Sequence, residues 1–101
     1  MSPISIKKIK KSCEEVCIIL KALSHPQRLL ILSHLLNSEK TASELVDLCE
    51  ISQSQISQFL TRMKFEGLIE CRREGKFQFY SVADKRLIHL MTTIQSEYCE
   101  H

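Results

Sequence analysis

Tryptophan is absent from the 101 residues, and there are only two glycines and two prolines. That poverty excludes collagen-like, linker and low-complexity chains. Aromatics are 6% of the residues, too few for a surface that stacks single-stranded bases. No apolar run approaches the ~20 residues of a membrane span. MSPISIKKIKKS has no hydrophobic stretch after its lysines, so neither a membrane segment nor a signal peptide is expected. There is no Cys-x-x-Cys, no zinc-knuckle spacing and no His-x-x-x-His. An excess of one charge is also lacking. Fourteen basic residues against 12 acidic leave +2, mildly basic and naming no partner.

What is there fits a globular domain: 44% hydrophobic and 26% charged residues, with a length suited to one domain over 1–101. The five cysteines, Cys13, Cys17, Cys49, Cys71 and Cys99, are odd in number and unpaired in spacing. They do not describe a secreted disulfide framework, and the expected compartment is the reducing cytosol.

The periodicity is mostly helical. Ile6, Ile9, Cys13, Val16, Cys17, Leu20 and Leu23 step by threes and fours, an amphipathic stripe. Lys7, Lys8, Lys10 and Lys11 make its start a basic arm, either a solvated helix end or a phosphate contact. Three capping-box patterns follow, Ser24-His25-Pro26-Gln27, Thr41-Ala42-Ser43-Glu44 and Ser52-Gln53-Ser54-Gln55. They predict helices near 25–36, 42–49 and 53–65. The first of these, rich in leucine and isoleucine on nearly all faces, is the expected central element. The other two, joined by Glu50-Ile51-Ser52, form a helix-turn-helix over 41–65. Ile56, Phe59, Leu60 and Met63 form its inward stripe, and Gly67 supplies a left-handed stop.

After Gly67 the period changes to two. Leu68–Arg73 and Phe77–Val82 read as strands joined through Glu74-Gly75-Lys76, a β-wing over 68–82. Asp84 caps a last helix striped by Leu87, Leu90, Met91, Ile94 and Tyr98. The expected fold is mainly α with a two-stranded β-wing, a winged helix-turn-helix in the order α-α-α-α-β-β-α. The apolar stripes of the outer helices, 5–23 and 84–99, exceed what a small winged core can cover. A homodimer built through these two helices is therefore expected.

Opposite its inward stripe, the second helix of the motif carries Gln53, Ser54, Gln55, Ser57, Gln58, Thr61 and Arg62. In a helix-turn-helix this element lies in the major groove of double-stranded DNA. Glutamine can bind adenine at two points, and serine or threonine can bond to either kind of base edge. A merely solvated face would more often carry Glu–Lys pairs. Arg72, Arg73 and Lys76, at or near the wing tip, can hold phosphate or enter a minor groove. Their alternative is pairing with Glu70 or Glu74. From Ser52 to Lys76 five basic residues face three acidic ones, so binding should depend on salt.

Leu23-Ser24-His25-Pro26-Gln27-Arg28-Leu29-Leu30-Ile31-Leu32, Ser52–Leu60, Glu66-Gly67-Leu68-Ile69, Arg72–Lys76 and Phe79-Tyr80-Ser81-Val82 together resemble the ArsR/SmtB family of bacterial winged-helix repressors. The likeness spans roughly residues 15–99. It implies a homodimer through the first and last helices, operator binding by the helix at 53–65, and release when an effector reaches a sensor site.

The family's sensor patterns match only in places. Thr41 and Ser43 stand at the cysteine positions of one metal site. Asp84, Arg86, Glu97 and Glu100 stand at another, where a guanidinium cannot ligate a divalent metal. Tyr98-Cys99 and the Gln-Ser motif look more like the sulfide- and persulfide-sensing branch, with Cys99 at one of its two cysteine positions and Ser33 at the other. Three readings of Cys13, Cys17 and Cys99 stay open: small apolar residues, a thiol switch answering reactive sulfur or oxidant, or soft metal ligands with His101. Cys49 and Cys71 are expected in the core, and His25, His34 and His89 in structural roles. No cofactor and no resident metal is expected. A winged-helix protein-interaction module without DNA binding is the competing class. No nucleophile–base pair, paired carboxylates or phosphate loop is legible, so an enzyme is not expected.

Overall fold

The computed structural model describes residues 5–99. Five helices and one hairpin follow in order: α1 (Ile6–Leu23), α2 (Pro26–Asn37), α3 (Ala42–Cys49), α4 (Gln53–Phe65), β1 (Ile69–Glu74), β2 (Phe77–Val82) and α5 (Lys85–Tyr98). The order is the one the periodicity predicts, and the architecture is a winged helix-turn-helix.

Local chemistry sets the boundaries. Thr41 forms a complete capping box, its Oγ1 accepting from the Glu44 N–H (3.2 Å) while Glu44 Oε1 accepts from the Thr41 N–H (2.9 Å). Two other caps differ from the sequence reading. At α2 the cap is His25, whose Nδ1 accepts from the Gln27 N–H (3.2 Å), with Pro26 inside the first turn. Ser24 instead donates its hydroxyl to the Lys21 carbonyl (2.9 Å), because α1 runs up to Leu23 and leaves Ser24 closing that helix. At α4, Ser52 Oγ accepts from the Gln55 N–H (3.3 Å), but the Gln55 side chain meets the Ser52 hydroxyl (3.2 Å) rather than its backbone.

The core is built from Ile31, Leu32 and Leu35 of α2, Leu45 of α3, Ile56, Leu60 and Met63 of α4, and Leu87 and Met91 of α5. Ile51, in the turn of the helix-turn-helix, is buried in the same cluster. α2 is central as expected, although Leu30 lies 40% exposed. Cys49 is buried and its thiol pushed up by that burial; Cys71 is only half-buried, and His89 is exposed.

Two backbone conformations fix the motif. Glu50 sits left-handed at φ 55°, so that α3 can turn into α4 within three residues. Gly67, at φ 78°, ends α4 in a Schellman arrangement: its N–H donates to the Lys64 carbonyl (3.1 Å) and the Leu68 N–H to the Met63 carbonyl (3.0 Å). β1 then begins at Ile69, one residue later than the hydropathy suggests, because Leu68 is spent on this stop. The hairpin pairs Ile69 with Val82 through Glu74 with Phe77, and Gly75 takes the positive φ (61°) of the tight turn. A third, one-residue strand is added from the α2–α3 turn. The Lys40 N–H donates to the Tyr80 carbonyl (3.0 Å) and the Tyr80 N–H to the Lys40 carbonyl (2.8 Å).

Candidate nucleic-acid interface

α4 divides cleanly along its length. Ile56, Leu60 and Met63 are buried and Phe59 half-buried, its ring meeting His25 edge-on at 5.3 Å. Gln53, Ser54, Gln55, Ser57, Gln58, Thr61 and Arg62 are all exposed on the other side. Every side chain named from the sequence for this helix therefore sits on one solvent-facing surface. The face is polar and short-armed, with groups that both donate and accept. Gln55 is engaged locally, its amide oxygen accepting from the Ser52 hydroxyl, and the Ser54 hydroxyl lies 3.4 Å from that of Ser52.

The surface continues one turn beyond the sequence reading. Phe65 is 91% exposed, and with Ser57, Gln58, Thr61, Arg62 and Glu66 it lines a shallow groove at the C-terminal end of α4. The signal that could have found it is its spacing, four residues after Thr61. Behind this end Glu66 pairs with Arg28, reaching across from α2, and more loosely with Arg62 (3.8 Å). The Arg28 side chain is 13% exposed, so this pair pins the last turn of α4 to the core.

The three wing cations separate. Arg73 and Lys76 are exposed at the turn, Arg73 Nε reaching the Gly75 carbonyl at 3.4 Å and Lys76 Nζ lying 5.5 Å from the centre of the Phe77 ring. Arg72 is tied down. Its Nε and Nη2 meet the two oxygens of Glu39 (3.2 and 2.5 Å), and its Nη1 meets Glu74 (2.7 Å). The Glu39 carboxyl is held below its ordinary range by the hydrogen bond from Arg72. Pairing with Glu74 was among the alternatives read from sequence; pairing with Glu39, 33 residues away, was not.

The sensor candidates are exposed. Cys13 and Cys17 lie on α1 and Cys99 closes α5, all three as free thiols. Among the described residues no three His, Cys, Asp or Glu side chains converge as a metal site. Glu100 and His101 lie outside the described residues. Ser33 donates its hydroxyl to the Leu29 carbonyl (2.8 Å), a helix-internal bond. No single helix in the described residues is long and apolar enough to cross a membrane.

A helix-turn-helix whose second helix offers a polar outer face, followed at once by a cation-tipped hairpin, defines a winged-helix DNA-binding regulator of transcription. The family model for the bacterial regulatory proteins of the arsR family matches residues 25–70. The HTH-type transcriptional regulator YgaV of Escherichia coli is 38% identical over 93% of this chain and 96% of its own length. The transcriptional activator HlyU of Vibrio cholerae is 29% identical over 98% and 92%, and a biofilm growth-associated repressor of Agrobacterium fabrum 32% over 95% and 82%. Among solved structures, the homodimeric winged helix-turn-helix DNA-binding domain Mb0332 of Mycobacterium bovis superposes with a TM-score of 0.75 at 27% identity, covering 100% of this chain and 99% of that one. The chain belongs to the ArsR family.

Proposed function

We propose that the chain acts as a homodimeric, operator-binding repressor in the cytoplasm, with no catalytic step. The observation that carries this reading is the exposed polar face of α4, backed on the opposite side by the buried Ile56, Leu60 and Met63. In this proposal Gln53, Ser54, Gln55, Ser57, Gln58 and Thr61 read base edges. Arg62, Arg73 and Lys76 hold phosphates, with help from the lysine arm of α1. An interaction module would expose apolar or acidic groups along this helix, and here only Phe65 departs from polar.

The dimer is proposed to form through α1 and α5. Ile6, Ile9, Val16, Ile18 and Leu20 on α1 are each about half-exposed or more, and Tyr98 on α5 is 80% exposed. The Cα radius of gyration is 15.4 Å, against about 13 Å for a compact chain of this length. An unpaired apolar helix standing off a finished core suits a self-complementary, two-fold contact. The homodimeric neighbour supports it. Two copies would then set their α4 helices about one DNA turn apart, near 34 Å.

Regulation is proposed to enter through Cys13, Cys17 and Cys99, the exposed thiols on the same two helices. A reactive-sulfur species or oxidant that modifies them would alter the spacing of the two α4 helices. Mass analysis before and after persulfide donor, oxidant or zinc, paired with DNA affinity, tests this. No adduct with unchanged affinity removes the sensor reading, and zinc uptake replaces it with a metal-responsive one.

Gel shifts and run-off transcription on the chain's own promoter region test the main reading. Salt-dependent, sequence-selective binding that lowers transcription is expected; absent or salt-insensitive binding at micromolar protein overturns it. Gln58→Ala should cost about 1–3 kcal/mol of base discrimination. Lys76→Ala should weaken binding to all sequences alike and flatten the salt slope by about one unit.

A further inference from the structure

We propose that Arg72 is a positioning residue that never touches DNA: with Glu39 it locks the wing to the α2–α3 turn, and so sets where Arg73 and Lys76 meet the duplex. The proposal rests on the DNA-binding reading above and refines the role of one residue that the sequence places among the DNA contacts.

The geometry has four independent parts. All three guanidinium nitrogens of Arg72 are used, two in a forked contact with Glu39 and one with Glu74. The guanidinium carbon lies over the Phe79 ring, 4.8 Å from its centre, a cation–π contact that adds to the fork. Glu39 is not a floating surface carboxylate. Its neighbour Lys40 is hydrogen-bonded through both backbone groups to Tyr80 of β2, and Lys40 Nζ closes the α2 terminus on the Ser38 carbonyl (3.1 Å) and hydroxyl (2.5 Å). Finally, one cation facing two carboxylates leaves this cluster at −1. A phosphate could recruit Arg72 only by stripping it from both carboxylates and bringing its own charge toward them. Arg73 and Lys76, one and four positions along, carry no such partner among the described residues.

A planar fork is what makes the lock directional. An arginine that meets both oxygens of one carboxylate fixes angle as well as distance, which an ammonium cannot do. The wing is a two-stranded hairpin, and such a hairpin is marginal on its own. The Lys40–Tyr80 bridge anchors one strand at its middle, and the Glu39–Arg72 pair anchors the other, directly across from Phe79. Together they convert a swinging hairpin into an extension of the helix-turn-helix.

The test measures affinity for operator and for scrambled duplex across a salt series, for the full-length protein and three variants. For Arg72→Ala the salt slope should equal that of wild type, because no phosphate contact is lost. Affinity should fall by about two- to fivefold, the scale of an exposed ion pair, and alike for operator and scrambled duplex, because the wing's contacts are to phosphates. Arg72→Lys, which keeps the charge, and Glu39→Gln, which removes an opposing charge, should both show the same loss of affinity. The double exchange Glu39→Arg with Arg72→Glu should recover part of it. A slope flattened by about one unit in Arg72→Ala, or affinity at or above wild type in Arg72→Lys and Glu39→Gln, overturns the proposal and returns Arg72 to the phosphate contacts. Wild-type protein without salt-dependent binding would overturn the DNA-binding reading itself, an outcome distinct from either.

Discussion

The winged core and α1 are made of similar residues and reach opposite states. From α2 to β2 the leucines and isoleucines interlock, helix ends are capped, and the hairpin is tied back by the Lys40 bridge and the Arg72 fork. α1 has a cleaner amphipathic stripe than α2, yet most of it faces solvent, and only Ala22 and Leu23 at its end are buried. Apolar periodicity therefore says that a face will be buried but not by whom. The core finds its cover within one chain, whereas most of the face on α1 finds none among the described residues.

One substitution in each region would show the contrast most strongly. Leu45→Ala, at a fully buried site, should cost about 2–5 kcal/mol in a chemical melt, at any protein concentration. Leu20→Glu on α1, at a site 51% exposed, should leave the core folded and instead shift the sedimentation profile toward monomer, with operator binding lost alongside. Equal, concentration-independent destabilisation by both would erase the distinction between the two regions.

A second level probes whether the core's boundaries are as locally determined as they look. Thr41→Ala should cost about 1 kcal/mol by opening the capping box at α3. The Glu44 carboxyl is held below its ordinary range, chiefly by the Thr41 backbone N–H and then by its hydroxyl. A carboxyl lowered in the folded state stabilises above its unfolded pKa, and that stability is lost as pH falls through the folded value. Wild type should therefore lose stability on acidification through the carboxylate range, and Glu44→Ala should lose less across the same window. An identical acid profile in both would remove Glu44 from the cap.

The smallest effect lies at the motif's turn. Glu50 holds a left-handed conformation that glycine adopts without strain. Glu50→Gly should raise the melting stability by up to about 1 kcal/mol, some of the relieved strain being offset by the greater freedom of the unfolded chain. Destabilisation would show that the Glu50 side chain contributes more than its backbone costs.

Element order, the inward stripe of α4 and its outer face were legible because each is written in short-range periodicity and caps. The α4 stop was legible for the same reason, since Gly67 is one of only two glycines and falls where the period changes. What escaped was of two kinds. At α2 two adjacent residues, Ser24 and His25, can both cap, and the choice turns on how far α1 runs. The Glu39–Arg72 fork, the Arg28–Glu66 pair and the Lys40–Tyr80 bridge join residues more than thirty positions apart, and no local pattern specifies such partners. The candidate DNA face was therefore readable as a surface, while the struts that aim its wing were not.

The Schellman stop at Gly67 passes α4 to β1 through only Glu66, Gly67 and Leu68, and backbone hydrogen bonds from all three tie this junction to the last turn of α4. Reading helix and wing must then travel together, like the fixed jaw of a caliper. Under the proposed dimer, a single base pair inserted between operator half-sites displaces one jaw by about 3.4 Å along the duplex and turns it around the axis as well. A junction this short leaves a subunit little room to absorb that error. Half-site separation should therefore be tolerated far less than base changes within either half.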